Sequence, residues 1–221
     1  MSKMSKILIV EPHPDDAALS AYSIVKNFAA MEFSLVSLFN SAPRSSEKWC
    51  EKMGIKYIDS PFAEDLLNTK SFVPYRMYKE HDDPEQMQLD YYGLDDLTSD
   101  SFIWAVLYRA MEIVNPDLIL TAFGMRHKAH VYTRYLVDEL GICTWYFAEL
   151  PYSDRKYGEI FLNKVIKRGD YSSLDFVPNK NKVEDFVESY PTERGMLRWD
   201  RETFGVVKER LLIPKTDKEE S

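Results

Sequence analysis

Residues 6–16 read KILIVEPHPDD, and the rest of the chain is organised outward from them. Ile7, Leu8, Ile9 and Val10 form a short apolar run rich in β-branched side chains, stopped by Pro12 and Pro14. Such a run reads as a buried strand whose carboxyl end opens into a loop. Beyond the loop, Ala18, Leu19, Tyr22, Val25 and Phe28 recur at helical spacing over 17–28, with Asp15 or Asp16 available as N-cap. A strand over 33–39, a helix over 45–53 and a short strand over 56–58 come next. The alternation resumes with a helix over 101–114, stopped by Asn115-Pro116. Then come a strand over 118–122, a helix over 130–140 ended by Gly141, and a strand over 143–147.

Strands alternating with helices imply βαβ units. The expected fold is a Rossmann-like α/β domain, a mostly parallel sheet with helices on both faces. Residues 1–153 form its metal-binding core, and 154–221 an irregular C-terminal extension packed on the same domain, with a turn at 179–182. Residues 79–100 carry eight acids against one lysine and read as a solvated surface loop or, functionally, a lid. In such a sheet ligands bind beyond the carboxyl ends of the strands.

Composition narrows the classes. The chain has 221 residues, 45% hydrophobic and 14% aromatic, enough for one domain with a substantial core. Acids outnumber bases 36 to 28, for a net charge of −8, which argues against a nucleic-acid surface. No apolar run approaches the roughly 18 residues of a membrane span. The opening MSKMSKILIVEPHPDD lacks the apolar region and small-residue cleavage site of a signal peptide. Cys50 and Cys143 give no disulfide framework. A cytoplasmic location is the default expectation.

Two clusters carry chemistry. PHPDD places His13, Asp15 and Asp16 at the end of the first strand; RHKAH places Arg126, His127 and His130 just after a later one. The chain has four histidines, and three of them come after strand ends, the fourth being His81 in the acidic segment. Imidazole with carboxylate suits zinc or another borderline divalent ion. His127 and His130, three apart, would share one face of a helix. A catalytic zinc keeps three protein ligands and one open position. One carboxylate and two histidines would fill that set, leaving a carboxylate as base and a histidine as acid or oxyanion partner. That is the equipment of an amide or ester hydrolase.

Over residues 6–152 the stretches PHPDDAALS and HKAH, with the later YFAELPY, resemble the LmbE-like, or PIG-L, zinc-dependent de-N-acetylases in order and spacing. The resemblance implies one zinc per chain held by His13, Asp16 and His130. Asp15 is then the general base, and His127, as a cation, the stabiliser of the tetrahedral oxyanion or the proton donor to the amine. The implied substrate is a small N-acetylated molecule of the N-acetylglucosamine type. Arg44, Arg126 and Tyr152 are candidate substrate contacts. The chain departs from the family pattern in three places. Ala129 stands where a carboxylate often precedes the last histidine, Ala21 and Tyr22 replace a glycine pair, and Ala17 comes after the paired aspartates. Ala129 and the missing glycines motivate the alternative of a catalytically impaired metal-binding relative acting as a binding or assembly protein. A phospho-acceptor receiver domain fits poorly, because Ala148 and Glu149 stand after the strand where that switch needs lysine. A dinucleotide-binding module fails because the first strand-to-helix turn has no glycine.

Overall fold

The computed structural model describes residues 5–39, 45–59, 73–93, 101–191 and 207–215. The first half runs β1 (Lys6–Glu11), α1 (Asp16–Ser20), α2 (Tyr22–Asn27), β2 (Glu32–Ser37), α3 (Glu47–Met53), β3 (Lys56–Tyr57), α4 (Tyr75–Glu80), α5 (Pro84–Tyr92) and α6 (Ser101–Val114). The second half runs β4 (Leu118–Ala122), α7 (Lys128–Asp138), β5 (Thr144–Phe147), α8 (Lys156–Arg168), β6 (Tyr171–Phe176), α9 (Lys182–Ser189) and β7 (Glu209–Pro214).

These strands form one seven-stranded sheet in the order β3-β2-β1-β4-β5-β7-β6. The first five strands are mutually parallel, and β7 runs antiparallel between β5 and β6. The α/β architecture expected from the alternation is therefore the one observed. Side-chain alternation along β1 divides the core in two. Leu8 and Val10 pack with α6, α7 and α8, while Ile7 and Ile9 pack with α1, α2, α3 and α9. The strand order reverses between β1 and β4, which opens a crevice at their carboxyl ends.

Three expectations need correction. The helix expected over 17–28 is two helices broken at Ala21. The buried Glu209 carboxylate of β7 accepts from Ser23 N at 2.6 Å and Ile24 N at 3.3 Å, capping α2 afresh and ending α1 there. Lys182 balances that charge at 2.8 Å, and neither side chain of this pair is exposed. The acidic segment is not a loop where it is described. Residues 84–92 are helical, with Asp83 capping Glu85 N and Gln86 N, and Met87, Gln88 and Tyr92 facing inward. The C-terminal extension is regular, since α8, β6, α9 and β7 come from it and two of its strands complete the sheet. The turn expected at 179–182 leads into α9. Both cysteines are free. No helix among the described residues is long and apolar enough to cross a membrane.

Candidate metal and active site

The crevice between β1 and β4 gathers the two histidine clusters. After β1 the chain turns sharply, with Asp16 N donating to the His13 carbonyl at 3.2 Å. Asp15 sits in this turn at φ 153°, ψ −19°, a conformation that L side chains rarely adopt and that costs on the order of 1–3 kcal/mol. Asp16 opens α1 and reaches back. Its Oδ2 accepts from His13 N at 2.8 Å and stands 3.3 Å from both His13 Nδ1 and His130 Nε2. Burial opposes its ionisation, but the charge of His130 and the hydrogen bond from His13 outweigh it and bring the carboxyl down to about 2. Asp16 is a carboxylate at any working pH.

The second cluster is arranged differently from the shared helical face expected. His127 is the N-cap of α7, in extended conformation, and only His130 lies within the helix. The loop between them and β4 is tightly bent, with Gly124 at φ 80° and Arg126 at φ 64°. A Cβ on Gly124 would also stand 3.2 Å from Val131 Cα, a tight approach that adds to the backbone reason for glycine.

The bend brings three imidazoles together, with ring centroids 5.1–5.3 Å apart. One nitrogen of each lies within 4.8 Å of the others, the only such group of potential metal ligands among the described residues. Burial, reinforced by His130 and His13, pushes His127 down to about 2. That burial disfavours the cation.

Of the other expected site residues, Tyr152 lies against the cluster, its ring 5.5 Å from His130 and nearly parallel to His127 at 6.4 Å. Burial, with Asp16 nearby, pushes its hydroxyl well above the usual tyrosine range, so it stays protonated. Arg126 turns its guanidinium onto the face of Tyr157, 4.3 Å from the ring centroid. Arg44 lies outside the described residues.

Three site residues were not singled out in the sequence. Glu149, fully buried just past β5, accepts from Gly124 N at 2.8 Å and Met125 N at 2.7 Å, and its Oε1 stands 3.3 Å from His130 Nδ1. Its signal was a carboxylate at a strand's carboxyl end, inside the YFAELPY stretch. Glu11, also buried, accepts from Ala17 N at 3.1 Å and Ser37 Oγ at 2.7 Å behind the PHPDD turn. Gln88 reaches in from α5 and bonds to both Gly124 and Arg126. No local pattern marks it.

No family model matches the chain, and no curated protein matches it in sequence. Solved structures do. The A40926 pseudoaglycone deacetylase Dbv21 has a TM-score of 0.54 at 13% identity, over 96% of this chain and 98% of that one. A triple mutant of the deacetylase of the teicoplanin biosynthetic pathway has a TM-score of 0.58 at 14% identity, over 96% of this chain and all (100%) of that one. The zinc-inhibited form of teicoplanin deacetylase Orf2 has a TM-score of 0.53 at 13% identity, with the same coverage of 96% and 100%. What is shared at such identity is the fold. The chain carries, over nearly its whole length, the fold of these deacetylase structures.

Proposed function

We propose that this protein is a zinc-dependent hydrolase that removes the acetyl group from the amide nitrogen of an N-acetylated sugar or related small molecule. The observation that carries the reading is the convergence of His13, Asp16, His127 and His130 at the crevice. Two ligand atoms about 2.0–2.1 Å from a tetrahedral ion stand about 3.3 Å apart. Asp16 Oδ2 is 3.3 Å from both His13 Nδ1 and His130 Nε2, so these three residues suit a common ion. The deacetylase names of the structures sharing this fold lend support.

In this reading His13, Asp16 and His130 hold the zinc. When bound, the ion supplies Lewis-acid polarisation of the acetyl carbonyl and makes water acidic enough to lose a proton near neutral pH. Asp15 accepts the proton of the attacking water and carries it toward the departing amine. His127 acts as a neutral imidazole, donating a hydrogen bond to the oxyanion, because its burial disfavours the cation. Tyr152 walls the site beside both imidazoles.

One observation favours a second reading, a metal-binding relative without turnover. Ala129, 4% exposed, is packed into the core, so no carboxylate stands at that position to charge His127.

Metal content of protein purified without chelator or affinity metal, and then acetate release from N-acetylglucosamine and its conjugates, separate the two. We expect about one zinc per chain and measurable acetate. Asp15→Asn should keep the metal and lose at least about a hundredfold in turnover, and His130→Ala should lose the metal. A zinc-loaded protein inert on every N-acetylated sugar tested would favour the second reading. Absence of any transition metal after zinc is offered would overturn both.

A further inference from the structure

We propose that Gln88 is the positioning residue of this site: from α5 it grips both sides of the turn before His127 and so sets where the His127 imidazole stands. The inference rests on the role assigned above to His127.

The grip is specific to an amide. Gln88 Nε2 donates to the Gly124 carbonyl at 2.8 Å, and its Oε1 accepts from Arg126 N at 2.6 Å. The same Oε1 accepts from the hydroxyl of Tyr78, a buried residue of α4, at 2.8 Å. Gln88 is 2% exposed, so none of these bonds competes with bulk water. One side chain thus pairs with the turn as a neighbouring strand would. The rest of the turn is held as firmly. Tyr92, one helical turn further along α5, donates to the Arg126 carbonyl, which also accepts from Val73 N at 3.2 Å. Glu149 takes Gly124 N and Met125 N from the opposite side.

The turn needs such holding because Arg126 occupies the left-handed region at φ 64°, which a non-glycine residue adopts at a cost. Released, Arg126 would relax to negative φ and swing His127, the next residue, away from His130. His13 and Asp16 belong to the β1 crevice wall and would stay. The segment 84–92 is therefore scaffold for the oxyanion-binding histidine, which is a different role from a lid.

The test uses the full chain with Gln88→Met, which keeps size and removes all three bonds. Tyr92→Phe is the milder second variant, and Gln86→Ala, on the exposed side of the same helix, is the control. In metal-free protein, nuclear Overhauser contacts of the His127 ring to Tyr152 and His130 should weaken in Gln88→Met, less so in Tyr92→Phe, and persist in the control. Turnover of N-acetylglucosamine should fall about tenfold to a hundredfold in Gln88→Met, with KM and zinc affinity changed less than about twofold. A structural role alone would lower the thermal midpoint and leave the His127 contacts and kcat of the folded fraction intact. His127 contacts unchanged in both variants would overturn the proposal, and should Gln88→Met not fold, Tyr92→Phe decides by the same readout. If wild-type protein hydrolyses no N-acetylated sugar, the deacetylase reading falls separately, and the ring contacts still decide what Gln88 does.

Discussion

Glu149 meets His130 with Oε1 3.3 Å from Nδ1, while the opposite nitrogen of the same ring, Nε2, stands 3.3 Å from Asp16. His130 therefore lies between a carboxylate that orients it and the crevice where an ion would sit. A histidine ligand characteristically gives its second ring nitrogen to such a partner, which fixes tautomer and ring orientation.

That relationship gives the first prediction. Glu149→Gln keeps the shape and an oxygen for Gly124 N and Met125 N but removes the charge behind His130. Zinc affinity should fall about tenfold to a hundredfold, measured by competition with a chromophoric chelator. Unchanged affinity would mean that Glu149 serves only the loop.

Gly158, in the first turn of α8, gives the second. A Cβ there would lie 2.1 Å from the Tyr152 carbonyl oxygen and 2.7 Å from Ser153 Cα, both backbone atoms. Gly158→Ala must displace the turn that carries Tyr152 against the imidazoles. Such overpacking costs about 1–3 kcal/mol, readable from urea denaturation midpoints. A wild-type midpoint would show that α8 approaches this turn less closely.

Glu11 supplies a pH dependence. Burial raises it from 4.5 to about 7 in spite of hydrogen bonds from Ser46, Ser37 and Ala17. Between those values the folded chain keeps a proton that the unfolded chain has released. Its contribution to stability is complete below 4.5 and is lost as pH rises through about 7. Glu11→Gln cannot ionise, so its stability relative to wild type should improve by on the order of 3 kcal/mol between about pH 4 and about pH 8. Parallel stability curves for the two proteins across that range would refute the assignment.

How much of this was legible beforehand depended on the range of the signal. The strand over 6–11 and the helix over 101–114 were readable because apolar periodicity and a proline stop are local properties of a dozen residues. The α1–α2 break was not, since the carboxylate that causes it, Glu209, lies 186 residues from Ser23. Nor was the helix over 84–92, where acids on the exposed side mask the few inward residues that hold it.

By itself the sequence determined the α/β class, the crevice at the strand ends and the three histidines that gather there, because in a parallel sheet the residues next in the chain after each strand must emerge at its carboxyl end. The tertiary structure alone decided that His127 takes the N-cap position of a helix, that burial disfavours its cation, and that Glu149 and Gln88 hold its loop. Those outcomes depend on burial and on hydrogen bonds from α5 and from the loop after β5, such as the reach from Gln88 to Gly124 across 36 residues. Pairing at that distance leaves no periodic trace in the chain, because only packing brings the partners within reach.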